Sequence, residues 1–166
     1  MKSAINFIKG NAFPFMLLLI TIGVASCSKS NKNNGGTPAP TMVSYAGNFV
    51  KSSDNVTTTA TGTTTATYNT TTRELSYVIT WSGLGSNPVG MHFHDAGPII
   101  IPIDNFPVTL SGTYTGKATL TVDQGNDLAA GKLYAQIHTV NFPAGEILAT
   151  LTKTGTTGSG GGGTGY

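Results

Sequence analysis

Three histidines carry the spacing in this 166-residue chain that invites chemistry. His92 and His94 stand two apart in Gly90-Met91-His92-Phe93-His94-Asp95, and His138 ends Leu133-Tyr134-Ala135-Gln136-Ile137-His138. In an extended chain successive side chains point to opposite faces, so His92 and His94 share one face while Met91 and Phe93 take the other. The same rule sends Leu133, Ala135 and Ile137 inward and leaves His138 outside with Tyr134 and Gln136. If the two segments are neighbours, three imidazoles converge. Neutral imidazoles are ligands for Zn or Cu, and three of them leave one coordination position open. Asp95 and Glu146 are candidates for a fourth ligand or for a group that orients one. The plain alternative is three histidines bonded to neighbouring carbonyls and threonines, since His-x-His also occurs on strands that hold no metal.

The elements that must position these rings are strands. No helical period of useful length appears; short alternating runs are separated by Gly, Pro, Asn and Asp, the pattern of half-buried antiparallel strands. Val43, Tyr45, Gly47 and Phe49 share one face of the first. Ala60, Gly62, Thr64, Ala66 and Tyr68 share one face of the second, with alternate threonines outward. Leu75, Tyr77, Ile79 and Trp81 point one way across the turn at Asn69–Thr72. Further strands are expected at Gly90–Asp95, Ile99–Ile103, Thr113–Val122, Leu133–Thr139 and Glu146–Thr152, with a single helical turn at Asp127–Ala130 capped by Asp127 and ended by Gly131. Seven to eight strands imply an all-β antiparallel Greek-key sandwich, immunoglobulin-like or superoxide-dismutase-like, over residues 42–153.

Both flanks read as something other than the sandwich. Residues 1–26 have the form of a secretory signal peptide: Lys2 and Lys9, an apolar core from Phe13 to Val24, then small residues. Val24-Ala25-Ser26-Cys27 matches a bacterial lipobox, which makes Cys27, the one cysteine of the chain, an acylated N-terminus and a membrane anchor. Residues 27–41 follow as a polar tether. Residues 154–166 are nearly all Gly, Thr and Ser and are expected to be a disordered tail. The implied address is export to a bacterial cell envelope, at the outer membrane or cell surface.

Composition narrows the function. Charged residues make up 10% of the chain, well under the globular norm of about 25%. Removing the signal segment leaves seven cations against seven acids, with Arg73 the lone arginine, so nucleic acid is excluded as a partner. No Gly-x-Ser-x-Gly elbow, phosphate loop or tight oxygen-ligand spacing for Ca²⁺ is present, and Glu74 and Glu146 are the two glutamates. Tyr77 and Trp81 share the apolar register of their strand and belong to a core.

Gly83-Leu84, the run Met91–Ile100, Gly131–Thr139 and Pro143-Ala144-Gly145-Glu146-Ile147 together resemble the CHRD domain, first described in chordin and also found in bacterial exported proteins. The likeness extends over about Tyr45 to Leu151. It implies an extracellular β-sandwich module of unassigned activity and marks His92, His94, His138, Gly145 and Glu146 as signature residues. Where the family often has an acidic, proline-containing turn after the first strand, this chain has Lys51-Ser52-Ser53-Asp54-Asn55-Val56. A weaker likeness links Gly83-Leu84 and Gly-x-His-x-His to the copper-binding strand of copper/zinc superoxide dismutases. Those enzymes need further histidines and an aspartate for the second metal, plus a cysteine pair; this chain has only His138 to add and a single cysteine. The preferred reading is a lipid-anchored, non-catalytic binding or structural module with no firm cofactor. The second reading is a Cu- or Zn-binding or redox domain built on the three histidines.

Overall fold

The alternating runs do become strands, and their pairing follows which side of each run is apolar. The computed structural model describes residues 40–158. In order they form β1 (Met42–Asn48), β2 (Val50–Lys51), β3 (Thr61–Asn69), β4 (Glu74–Ser82), β5 (Pro88–Asp95), β6 (Ile99–Pro102), β7 (Gly112–Thr119), α1 (Val122–Ala129), β8 (Leu133–Thr139), β9 (Ile147–Thr150) and β10 (Thr152–Thr157). All pairings are antiparallel. They build two five-stranded sheets, β10-β1-β3-β4-β7 and β2-β9-β8-β5-β6. The all-β sandwich expected from the sequence is the architecture.

Apolar positions of the two sheets make one core. Tyr45, Leu75, Tyr77, Ile79 and Trp81 of the first pack with Met91, Phe93, Leu133, Ala135, Ile137 and Ile147 of the second. Each of the larger side chains contributes about 1.5–3 kcal/mol by leaving water. Tyr77 meets Phe93 edge-on, with ring centroids 4.8 Å apart at 74°, a favoured aromatic geometry. The Trp81 indole N–H donates to the Thr109 carbonyl at 2.9 Å, which satisfies the one polar atom that this ring buries.

Ten strands replace the expected seven to eight because two runs change sheet in mid-course. β1 lies in the first sheet and β2 in the second, with buried Phe49 between them. β9 and β10 repeat the arrangement around Leu151, which is fully buried. The second switch also corrects the C-terminal boundary: Thr154–Thr157, read as the start of a disordered tail, belong to β10, and Gly155–Thr157 pair with β1. Residues 159–166 lie outside the described residues, as do the signal segment, Cys27 and nearly all of the tether.

The helix is longer than expected and begins elsewhere. Thr121 caps it by accepting from the Gln124 amide while the Gln124 side chain returns to the Thr121 N–H, a reciprocal capping box. β7 therefore ends at Thr119 and not at Val122. Asp127 is no cap; it lies inside the last turn and pairs with Lys132 at 2.7 Å. Gly131, at φ +72°, follows the helix in the left-handed conformation that glycine adopts without strain.

Candidate metal centre

β5 and β8 lie side by side, and their register decides whether the histidines meet. His138 stands opposite Gly90, and His92 opposite Gln136, one pleat along. Met91 and Phe93 are buried in the core, as are Leu133, Ala135 and Ile137, so all three histidines occupy the other face of this sheet. Gly90 has no side chain to stand between the rings: a Cβ built there would lie 3.4 Å from His92 Nε2 and 3.6 Å from His138 Cβ.

The rings do converge. Ring centroids are 4.5 Å apart for His92 and His138 and 5.0 Å for His92 and His94. One ligand nitrogen from each histidine can be chosen so that all lie within 4.8 Å of one another. A tetrahedral ion with bonds of about 2.0–2.1 Å would set its ligand nitrogens about 3.3 Å apart. His92 Nδ1 and His94 Nε2 stand 3.1 Å apart, close to that spacing, joined by a hydrogen bond in which the His92 Nδ1–H donates; an ion taking both nitrogens would replace that bond and move the His92 proton to Nε2. Closing the remainder takes side-chain adjustments on the order of 1 Å, within what staggered rotamers allow.

Two of the rings are aimed by backbone carbonyls. His94 Nδ1 lies 2.7 Å from the Gly97 oxygen, and His138 Nδ1 lies 2.9 Å from the Pro143 oxygen. A carbonyl only accepts, so each Nδ1 carries the proton and each Nε2 offers a lone pair toward its neighbours. The first carbonyl is delivered by the β5–β6 hairpin, where Ala96 at φ +48° and Gly97 at φ +141° fold the chain back over His94. Tyr134 stacks on His94 at 4.9 Å and 7° and holds that ring's plane. His138 Nε2 is buried with no hydrogen-bond partner. Buried polar atoms are rarely left so, and the free lone pair suits a bridging water or a metal ion equally.

Electrostatics disfavour charge on two of the rings. Burial, then the neighbouring His138 and His94, hold the His92 pKa down at about 4. Burial also lowers that of His138, opposed by its bond to the Pro143 carbonyl and reinforced by His94. At neutral pH neither ring has to shed a proton to receive a cation.

The carboxylates nominated from sequence do not join the rings. Among the described residues the cluster consists of His92, His94 and His138. Asp95 turns toward Asp127 and Lys132, with its pKa raised by burial and by Asp127. Glu146 is fully buried and spends its oxygens elsewhere: Oε1 accepts from the Thr58 hydroxyl at 2.5 Å and the Gly85 N–H at 2.8 Å, and Oε2 from the Thr139 hydroxyl at 2.8 Å. It ties three segments together. Gly145, at φ +117°, lets the chain pass where any Cβ would overlap the Gln136 amide. Gln136 in turn donates to the Ala144 carbonyl at 3.2 Å. The Lys51–Val56 turn meets the same point, since Ser52 donates through Oγ to the Gly145 carbonyl and through its N–H to the Glu146 carbonyl. Gly145 and Glu146 thus fix the loop whose Pro143 carbonyl aims His138. Gly97, Pro143 and Tyr134 are the positioning groups that sequence reasoning did not assign; the Gly97-Pro98 pair after His-x-His was the visible signal for the first.

The CHRD domain matches residues 43–151, which spans the whole of this geometry. The chain belongs to the CHRD domain family. No curated protein and no solved structure matches it. The CHRD match begins one residue into β1 and ends at the sheet switch of Leu151, so β10 lies beyond the CHRD boundary although it pairs along β1.

Proposed function

We propose that this protein is an exported, lipid-anchored CHRD module, non-catalytic, whose sandwich binds one Zn or Cu ion through His92, His94 and His138. The observation that supports the metal is the convergence of three imidazoles, two of them aimed by carbonyls and one holding a buried nitrogen with no partner. Three nitrogen ligands take either metal, and the general order of divalent affinities favours Cu over Zn. The anchor rests on the lipobox ending at Cys27 and on the polar tether after it. Among the described residues no helix is long and apolar enough to cross a membrane.

Metal analysis of the full-length protein after reconstitution tests the first half. One ion per chain is expected, lost in His138→Ala; substoichiometric Zn and Cu in the unaltered protein would refute it. Fractionation of cells carrying Cys27→Ala tests the second. Release from the membrane fraction is expected, and retention there removes the anchor.

A further inference from the structure

A second site is marked by charges that have no counter-ion. The described residues include five cations, Lys51, Arg73, Lys117, Lys132 and Lys153. Lys51, Lys117 and Lys132 are paired with Asp54, Glu74 and Asp127. Arg73 and Lys153 have no acidic partner among the described residues, and both line the same cavity of about 380 Å³. No acidic residue lines it. That volume lies in the range of small-molecule sites, about 300–1,000 Å³.

The rest of the lining mixes polar and apolar groups. Tyr45 and Tyr68 contribute rings that are 3% and 7% exposed. Neither hydroxyl makes a hydrogen bond among the described residues, and both residues line the cavity, which leaves the two O–H groups available as donors. Burial and then the nearby Tyr68 raise the pKa of Tyr45, which keeps it a protonated donor. Asn126 adds an amide, while Val43, Val122 and Ala129 supply apolar wall. Strand register explains why these groups meet: Val43 stands opposite Tyr68, and Tyr45 opposite Lys153, which turns that lysine to the inner side of an edge strand. Arg73 is held at φ +60°, with its N–H on the Asn69 carbonyl and its own carbonyl on the Leu120 N–H. Left-handed backbone at a long side chain is uncommon and persists where its surroundings enforce it.

We infer that this cavity, between the start of β1, the β3–β4 turn and α1, binds a small amphipathic oxyanion: a carboxylate or phosphate head against Arg73, Lys153 and the two tyrosine hydroxyls, with a short apolar body against Val43, Val122 and Ala129. A planar guanidinium and an ammonium are the donors suited to such a head. The site is separate from the histidine cluster and does not depend on metal.

The test uses the full-length protein in phosphatidylcholine nanodiscs, titrated with hexanoate, hexyl phosphate, inorganic phosphate and hexanol and read by isothermal calorimetry. At least one of the two hexyl anions is expected to bind ten-fold or more tighter than both hexanol and inorganic phosphate. Arg73→Asn, which tolerates the left-handed backbone, combined with Lys153→Gln is expected to remove that margin; Ala129→Trp, which fills the cavity without changing charge, abolishes binding. His92→Asn leaves it unchanged. Hexanol binding as tightly as the anions, or the double variant binding like the parent while melting at the same temperature, overturns the assignment. Adding phosphatidate to the nanodiscs separates two sources of the head: weakened hexyl phosphate binding assigns it to a membrane lipid, and undiminished binding to a soluble molecule.

Discussion

Replacing Glu146 offers the sharpest test of how this sandwich is held at the end that carries His138. The carboxylate accepts from Thr58, Gly85 and Thr139 at 2.5, 2.8 and 2.8 Å and is fully buried. Hydrogen bonds to charged groups are worth about 1.5–3 kcal/mol each. Glu146→Ala removes three and leaves Thr58, Thr139 and the Gly85 N–H facing a small void, a loss of about 4–6 kcal/mol even after allowing for water entry. That is a large part of the roughly 5–15 kcal/mol by which a domain of this size is stable. Glu146→Gln keeps the shape and one carbonyl acceptor for Thr58 and Gly85, while the Thr139 hydroxyl reverses to accept from the new amide. Its cost is therefore about 1–2 kcal/mol, or about 4–8 °C in Tm. Thermal melts and urea titrations of the unaltered, Gln and Ala proteins measure the series. An Ala variant melting within 2 °C of the parent would show that the three bonds carry no net stability, and the reasoning would fail.

Other outcomes follow from single positions. Thr64 lies fully buried with its hydroxyl unpartnered, so Thr64→Val is expected to stabilise the domain by about 1 kcal/mol, seen as a Tm roughly 4 °C higher. Gly90→Val puts two methyls between His92 and His138 on the face away from the core; metal affinity is expected to fall ten-fold or more by calorimetry while the melt moves little. His92 has a pKa near 4 in the folded chain against 6.5 in the free side chain. The unfolded chain thus takes up the proton first, and the metal-free fold loses stability as pH falls from about 6.5 to 4. The ring is partly exposed, which reduces the effect to about 1–2 kcal/mol; urea midpoints that show the same acid dependence in His92→Asn would remove His92 as the cause.

Faces were legible from sequence and partners were not. A period of two correctly placed Met91 and Phe93 in the core and His92 and His94 opposite, because a one-residue slip would exchange the two sets completely. That His138 would stand across from Gly90 depended on register between distant segments, which alternation alone leaves open. Glu146 was nominated on its chemistry and found in a structural role, since nothing local shows that Thr58 and Gly85 fold back onto it. The helix was underestimated because Gly125 and Asn126 are poor interior residues, although the Thr121-x-x-Gln124 box signalled its start. The tail was misjudged at Thr154–Thr157 because a glycine- and threonine-rich run gains its order from an adjacent strand, a contribution composition does not record.

The position of β1 has a mechanical consequence. It is flanked on one side by β3 and on the other by β10, both antiparallel to it. Tension applied from the N-terminal side runs along β1 and loads both rows of bonds in shear, so they must fail together and not one after another. A sandwich pulled along this strand resists being drawn out, and β10 serves as the second jaw of the grip.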